Sequence, residues 1–295
     1  MEIKINGQKL SESPFVILVK ARELKVVGKL EVQGEMPQGP VGIAVNSKGV
    51  IAVADHKGHC IRVFDETGKF VRKLSCQGEK AGQLKEPVDV TFLNDEEILV
   101  ADVGNNRIQQ LNVQTGNFVK SFGKKGRGDG ELKNPGSVCI TSDRRFVVVT
   151  EYNNSRIKVF SMDGEVVLRF GDSGSKRLDH PLGCACYEDK FIVSDSGNNC
   201  VKVFDGKGKF LYKFGEKGNG DGRLDKPWGI CIDKYGSILV CEKLNNRIQM
   251  FTLEGAFMGK TSANLNLQWP WAVTTMPDDR ILITDFKENE VYILK

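Results

Sequence analysis

Short apolar runs alternate with polar turns along most of the chain. The stretch that begins at Pro227 shows the pattern clearly, with the runs GICI, SILVCE, RIQMF and a weaker AFMG separated by turns that contain Gly, Asn or Asp. Apolar runs of this length between such turns predict antiparallel β-strands joined by hairpins. We therefore expect four consecutive strands in this stretch.

The same unit recurs six times along the chain. Each copy opens with a proline and carries an acidic residue after its second apolar run. The prolines are Pro40, Pro87, Pro135, Pro181, Pro227 and Pro270. The acids are Asp55, Asp102, Glu151, Asp195, Glu242 and Asp285. Repeats of about 45 residues with four strands each predict an all-β fold, a six-bladed β-propeller with four antiparallel strands per blade.

The two ends of the chain complement each other. The sixth unit stops at VYILK, residues 291–295, after its third strand. Residues 24–32, upstream of the first proline, are similar to the fourth strand of a complete unit. We expect this segment to close the last blade, because closure removes an exposed sheet edge. The predicted propeller spans residues 24–295, with repeats that start near residues 40, 87, 135, 181, 227 and 270.

Composition and segment hydropathy indicate where the protein is located in the cell, but they say little about what it binds. The net charge of +4 is compatible with nucleic-acid binding without arguing for it. The first ten residues lack the apolar core of a signal peptide, and no segment is long and apolar enough for a membrane span. The eight cysteines include no C-x-x-C pair and several lie in apolar runs, which is typical of small buried side chains in a reducing compartment. We expect a cytoplasmic protein with no membrane partner.

The residues that commonly hold metals or phosphates do not form a site in the sequence. Only three histidines occur, and the pair His56 and His59 lacks the further ligands that zinc needs. The Gly-rich segments 123–132 and 215–224 lack the phosphate-loop pattern and recur at one place in the repeat, where a turn explains them. We expect no metal, no cofactor and no small-molecule substrate.

The second and third strands carry a family signature. The segments ILVADVGNNRIQQL (98–111), FVVVTEYNNSRIKVF (146–160) and ILVCEKLNNRIQMF (238–251) resemble the NHL repeat. The remaining three units are looser versions of the same pattern. The whole region resembles the C-terminal propeller of TRIM-NHL proteins, which implies a binding platform for RNA or protein.

The resemblance also bears on the first residues and on catalysis. Residues 1–22 resemble the last strands of a filamin-type immunoglobulin repeat, which precedes the propeller in many TRIM-NHL proteins; an unrelated hairpin is the alternative. The zinc-binding RING and B-box modules of that family are absent from this sequence. Ubiquitin transfer in the family is performed by the RING, so we expect this chain not to be an enzyme.

The six acids could be calcium ligands, as in hydrolases of related propellers, or structural anchors. Each occupies the same place in its unit, and three are followed five residues later by an arginine. An ion pair within the hairpin explains this regularity better than catalysis. In the first and fourth units Cys60 and Cys200 replace the arginine, so there the acid is expected to accept backbone N–H bonds.

Binding is expected on one face of the ring. In a propeller, the loops from strand four to strand one and from strand two to strand three emerge together. Basic, aromatic and amide side chains concentrate in these loops, and Trp228, Trp269 and Trp271 flank the repeat prolines there. The candidate binding residues are His56, Lys57, His59, Arg107, Lys124, Lys125, Arg127, Tyr152, Asn153, Arg156, Lys243, Arg247, Phe286 and Lys287.

Two functions remain open at this point. Cations for phosphates and aromatic rings for bases favour single-stranded or hairpin RNA as the partner, in a post-transcriptional regulator. The alternative is a protein-recognition propeller, such as the substrate-binding part of a ubiquitin-ligase-related protein. Steep salt dependence would indicate RNA, and a mixed apolar surface would indicate protein.

Overall fold

The computed structural model describes residues 4–5, 8–9, 24–30, 37–262 and 265–295. Near the N-terminus, β1 (Lys4–Ile5) and β2 (Gln8–Lys9) form a short antiparallel pair. The rest of residues 1–22 lies outside the described residues, so the filamin-type remnant stays a prediction. No helix in the described ranges is long and apolar enough to cross a membrane.

Six four-stranded antiparallel sheets form the propeller, as predicted. Blade 1 contains β4 (Pro40–Val45), β5 (Ile51–Asp55), β6 (Cys60–Phe64) and β7 (Phe70–Leu74). Blade 2 contains β8 (Pro87–Phe92), β9 (Glu97–Asp102), β10 (Arg107–Asn112) and β11 (Phe118–Phe122). Blade 3 contains β12 (Pro135–Ile140), β13 (Phe146–Glu151), β14 (Arg156–Ser161) and β15 (Val166–Phe170).

The second half of the ring repeats this arrangement. Blade 4 contains β16 (Pro181–Tyr187), β17 (Lys190–Asp195), β18 (Cys200–Asp205) and β19 (Phe210–Phe214). Blade 5 contains β20 (Pro227–Ile232), β21 (Ile238–Glu242), β22 (Arg247–Phe251) and β23 (Phe257–Lys260). Blade 6 contains β24 (Pro270–Thr275), β25 (Ile281–Asp285), β26 (Glu290–Leu294) and, from the N-terminal side, β3 (Val26–Lys29). Short 3-10 turns follow the second strand in blades 2, 3 and 4, at Val103–Asn105, Tyr152–Asn154 and Ser196–Asn198.

The ring closes as the sequence predicted. Strand β3 pairs antiparallel with β26, with Tyr292 opposite Lys29. On either side of β3, Leu24 and Leu30 are buried. Leu24 packs between blades 5 and 6, and Leu30 packs between blades 6 and 1. One short segment therefore stabilises both interfaces of the last blade.

The core is divided into six apolar clusters, one at each interface between neighbouring blades. Each combines inward-facing residues from one blade with those of the next, as in Val53 of blade 1 and Leu282 of blade 6. Burial of such side chains contributes roughly 1.5–3 kcal/mol each. Since every interface is built this way, the inner strands are fixed around a central channel and the loops are fixed at its mouth.

Candidate functional site

The six repeat acids are buried anchors of the loop face. In every blade the acid lies opposite the proline of the first strand, as in the pair of Pro87 and Asp102. Each carboxylate accepts a backbone N–H, over 2.5 to 3.1 Å, from the residue two positions before its proline. The donors are Gln38, Lys85, Lys133, Asp179, Asp225 and Gln268. The acid thus fixes the incoming loop to the top of its blade.

Three candidate arginines complete these anchors. Arg107 donates Nε–H to Asp102 over 2.8 Å, and its two terminal nitrogens donate to the carbonyls of residues 79, 80 and 83. Arg247 makes the corresponding bonds in blade 5. Arg156 is buried, bonds to Glu151 and donates to the Arg127 carbonyl. These guanidinium groups are occupied by the propeller itself, so we assign all three a structural role.

Blades 1 and 4 obtain a cation that the sequence reasoning missed. Their acids accept backbone N–H bonds as expected, but each acid also forms an ion pair with a basic side chain seven residues further along the chain. Arg62 Nε lies 2.7 Å from Asp55, and Lys202 Nζ lies 2.7 Å from Asp195. Two positions along the third strand bring a side chain back to the same face. The two-residue period of the strand could therefore have predicted a basic residue seven positions after the acid, whereas blades 2, 3 and 5 have an arginine five positions after it.

A second set of hydrogen bonds joins the loops of neighbouring blades; we call it the loop clasp. In five blades a loop residue with φ between 51° and 55° accepts the N–H of the residue before the next blade's proline. The pairs, acceptor first, are His59 with Glu86, Asn106 with Asn134, Ser155 with His180, Asn199 with Lys226 and Asn246 with Trp269. The candidate residue His59 therefore serves as a clasp acceptor, through Nδ1 over 2.9 Å.

The structure brings the rings of blades 5, 6 and 1 together. Trp228 and Trp271 have centroids 4.0 Å apart, and Phe286 lies 5.4 Å from Trp271 and 6.4 Å from Trp269. His56 completes the group at 6.5 Å from Trp271. These five residues form what we call the aromatic cluster. Trp269 is 37% exposed, so part of the cluster is open to solvent.

Lysines lie directly on these rings. Lys243 Nζ is 4.3 Å from the ring centroids of both Trp228 and Trp269, and Lys57 Nζ is 5.0 Å from that of Phe286. Such cation–π contacts orient the ammonium groups. Burial, followed by the charge of Lys226, lowers the pKa of Lys243. The exposed Lys287 donates to Gln268 at the edge of the cluster.

A cavity of about 700 Å³ opens beside the aromatic cluster at the mouth of the channel. Trp228, Trp271 and Lys243 line one side, and Tyr152 and His180, with centroids 4.6 Å apart, line the other. The wall also includes Lys226, Asp179 and the exposed Leu244. The cavity thus combines aromatic surface with two ammonium groups.

The remaining candidates lie further from this cavity wall. Asn153 is exposed and donates to Asn134 Oδ1 over 2.6 Å. Lys124, Lys125 and Arg127 are exposed in the loop between β11 and β12. Their side chains point to solvent, in contrast to those of the three arginines above, although the Arg127 carbonyl accepts a bond from Arg156.

Sequence reasoning omitted Lys226, His180 and Leu244 from the candidate set. Lys226 and His180 stand directly before a repeat proline, with φ of 49° and 51°. This left-handed conformation turns the chain at the loop face. Their common position before proline was a signal that could have identified them. Among the described residues, no group of three or more His, Cys, Asp or Glu is arranged to hold a metal ion.

Comparisons with known proteins agree with this architecture. A family model for the NHL repeat matches residues 38–64 and 84–111, and a model described as a 6-bladed beta-propeller matches residues 183–279. The chain is a six-bladed β-propeller with NHL repeats. Its sequence relatives include Protein lin-41 and the E3 ubiquitin-protein ligase TRIM71.

The similar stretches of those relatives are short. Protein lin-41 of Caenorhabditis elegans is 49% identical over 43 residues, 15% of this chain and 4% of that protein. The E3 ubiquitin-protein ligase TRIM71 of Mus musculus is 49% identical over 43 residues, 15% of this chain and 5% of that protein. RING finger protein nhl-1 of C. elegans is 32% identical over 82 residues, 28% of this chain and 8% of that protein. The matches thus cover a small fraction of each relative's length.

Solved structures share the fold over nearly the whole chain. A streptogramin B lyase superposes with a TM-score of 0.66 at 16% identity, covering 92% of this chain and 97% of that one. The WD40 beta propeller domain of Doa1 gives 0.65 at 13% identity, covering 92% and 96%. At these identities the similarity concerns the fold alone.

Proposed function

We propose that the loop face binds single-stranded or hairpin RNA, as part of a cytoplasmic post-transcriptional regulator. The observation that carries the proposal is the aromatic cluster with Lys243 held between Trp228 and Trp269. Bases stack on exposed rings and phosphates pair with ammonium groups, and this combination is typical of single-strand recognition. The cavity beside the cluster has room for a base that has left its stack.

The ligand surface in this proposal is smaller than the candidate set. It consists of the aromatic cluster with Lys57, Lys243 and Lys287, and of the opposite cavity wall with Tyr152 and His180, beside which lies Asn153. Lys124, Lys125 and Arg127 form a basic flank that can contact phosphates at longer range. The three anchor arginines and His59 support this surface through the anchors and the clasp.

The test is RNA selection followed by affinity measurement. An RNA selected from a randomised pool is titrated by fluorescence anisotropy against the unmodified chain and against Trp269→Ala. Loss of one stacked base is worth about 1–3 kcal/mol, so we expect affinity to fall by about 5-fold to 150-fold. Tyr235→Ala is the matched control, because Tyr235 is 68% exposed but lies in the β20–β21 turn on the opposite face. Equal behaviour of the two variants, or no enriched RNA, would refute the proposal.

The salt dependence of RNA affinity tests the contribution of the lysines separately from that of the aromatic rings. Lys57→Gln should reduce the slope of log affinity against log salt concentration by about one, because one phosphate contact is lost. Lys48→Gln, whose side chain is 70% exposed on the opposite face, should leave the slope unchanged. A slope near zero for the unmodified chain would contradict a phosphate-binding surface.

The second candidate is recognition of a protein partner. Leu244, 53% exposed beside the cavity, and the acid Asp179 in its wall give the surface a mixed character that a peptide would fit. In that case a partner captured from cell extract stays bound after RNase treatment and is lost with Leu244→Ser. RNA affinity would then be weak and insensitive to Trp269→Ala.

A further inference from the structure

Three cysteine side chains meet at the wall of the central channel, between blades 3 and 4. The Sγ atom of Cys139, on β12, lies 3.2 Å from Sγ of Cys184 and 3.5 Å from Sγ of Cys186. The latter two are on β16. Because residues two apart on a strand face the same side, both blade-4 thiols point toward Cys139.

The repeat shows that two of these thiols replace another kind of side chain. The position of Cys184, three after the repeat proline, holds a branched apolar residue in each of the other blades: Ile43, Val90, Val138, Ile230 and Val273. The position of Cys186 holds Val45, Phe92, Ile140, Ile232 and Thr275. Packing alone therefore does not require sulfur at either position. The residues of the other blades show which side chains can replace these two cysteines.

The cluster can be reached from the channel. The channel encloses about 380 Å³, and all three cysteines are among the residues that line it. Cys139 and Cys186 are half-buried, whereas Cys184 is buried against Ser137 Oγ at 3.6 Å. A small oxidant in the channel therefore meets Cys139 with a second thiol already within 3.5 Å.

We propose that Cys139, Cys184 and Cys186 form a redox site, in which a peroxide converts Cys139 and one blade-4 cysteine into a reversible disulfide. The Cys139 thiolate attacks the peroxide and becomes a sulfenic acid, and the peroxide oxygen that leaves takes up a proton. The blade-4 thiol then attacks the sulfenic sulfur and expels water. Overall, two thiols and one hydrogen peroxide give one disulfide and two waters.

Either blade-4 cysteine can serve as the partner, whereas Cys139 is required. Since a disulfide spans about 2 Å, formation of the bond needs the sulfur atoms to approach by roughly 1 Å for Cys184 and roughly 1.5 Å for Cys186. The bond would add a covalent link between the inner strands of two blades that are held together by packing and by hydrogen bonds such as that from Thr150 Oγ1 to the Leu182 carbonyl. Reduction by a dithiol restores the free cluster.

The rate should depend on pH in a defined direction. The hydrogen bonds of the Cys139 thiol with Cys184 and Cys186, followed by burial, raise its pKa well above the usual range. Because the thiolate is the reacting species, the oxidation rate should rise roughly tenfold per pH unit between pH 7 and 9 without a plateau. This slow reaction at neutral pH distinguishes the cluster from an activated catalytic thiol.

The experiment is treatment of the purified chain with hydrogen peroxide, alkylation of the remaining thiols and peptide mapping without reduction. We expect a peptide containing Cys139 to be linked to the peptide containing Cys184 and Cys186, and the melting temperature to rise by about 5 °C. Dithiothreitol should reverse both changes. Exposed Cys76 serves as the internal control for general oxidation.

Variants taken from the repeat itself complete the test. Cys139→Ala introduces the residue that blades 1 and 4 carry at the same position, as Ala44 and Ala185. This variant and the double variant Cys184→Val with Cys186→Val should each abolish the link. Either single valine variant should retain it. Full alkylation of Cys139 while Cys76 is oxidised, or a link that survives Cys139→Ala, would overturn the proposal.

Discussion

Asp89 is a single carboxyl group at the channel wall, at the position where blades 1, 4 and 5 have glycine. It accepts the Ser137 hydroxyl over 2.6 Å and the backbone N–H groups of Val138 and Val90 over 2.9 Å. Burial nevertheless raises the pKa of Asp89 to about 6, because these bonds only partly offset the loss of hydration. The group therefore titrates close to neutral pH.

The sign of its effect on stability follows from this shift. The native carboxyl binds its proton more tightly than the unfolded one, so the free energy of unfolding falls as the pH rises from about 4 to 6. The contribution is about 2–3 kcal/mol. Asp89→Asn should remove it, so the variant gains stability relative to the unmodified chain at pH 7.5 and not at pH 4. Urea unfolding at the two pH values measures the difference; parallel pH profiles would contradict it.

The sequence motif predicted the ion pair of Arg156 with Glu151, and Arg156 was also placed among the candidate binding residues. As an exposed contact, its replacement by Glu would impair binding and leave the fold intact. In the structure the guanidinium is buried on Glu151, so Arg156→Glu places two carboxylates together in the core. We expect a loss of about 3–5 kcal/mol in the free energy of unfolding. Arg127→Glu, exposed in the adjoining loop, should change it by no more than about 0.5 kcal/mol.

At the scale of elements, the loop clasp connects the hairpins of five blades to the next blade. Asn106 contributes a left-handed backbone with φ of 55° and an acceptor for the Asn134 N–H. Two variants separate these contributions. Asn106→Gly removes the hydrogen bond and should cost about 1 kcal/mol, whereas Asn106→Ala adds backbone strain and should cost about 2 kcal/mol. Chemical unfolding gives both values, and identical losses would mean that the backbone conformation carries no strain.

The strands could be predicted because their signal is local. Pro87 and Asp102 mark the start of one strand and the end of the next, and these two residues pair directly in the sheet. The apolar runs between such markers fix the rest of each blade. The contacts between loops of neighbouring blades could not be predicted in the same way, because their partners belong to different repeats, as in the bond from the Glu86 N–H to His59. Such partners are defined by the ring and not by spacing.

The candidate site could likewise be predicted only where its signal is local. Phe286 and Lys57 were recognised by type and by loop, and they do meet in the structure. The loop that holds Arg107 was also recognised, but its neighbours could not be, because they belong to a loop more than twenty residues away. Whether a basic side chain contacts solvent or an acidic side chain depends on how the loops are arranged in the folded ring.

For the whole molecule, the closure of blade 6 is the decisive contact. Removal of residues 1–30 would delete β3 together with Leu24 and Leu30, and would expose the edge of β26. We expect a much lower melting temperature and aggregation through the open edge. Removal of residues 1–22 keeps β3 and is the control. Similar melting temperatures for the two truncated chains would show that closure contributes little.

The geometry of this closure also determines how the ring responds to mechanical load. Lys25 and Lys295 exchange two backbone hydrogen bonds, over 3.1 and 3.0 Å, so the two ends of the closing pair lie side by side. A pull applied between them loads the bonds of β3 and β26 one after another rather than all at once. Blade 6 should therefore peel open at low force, while the other five blades, whose strands are continuous hairpins, remain intact.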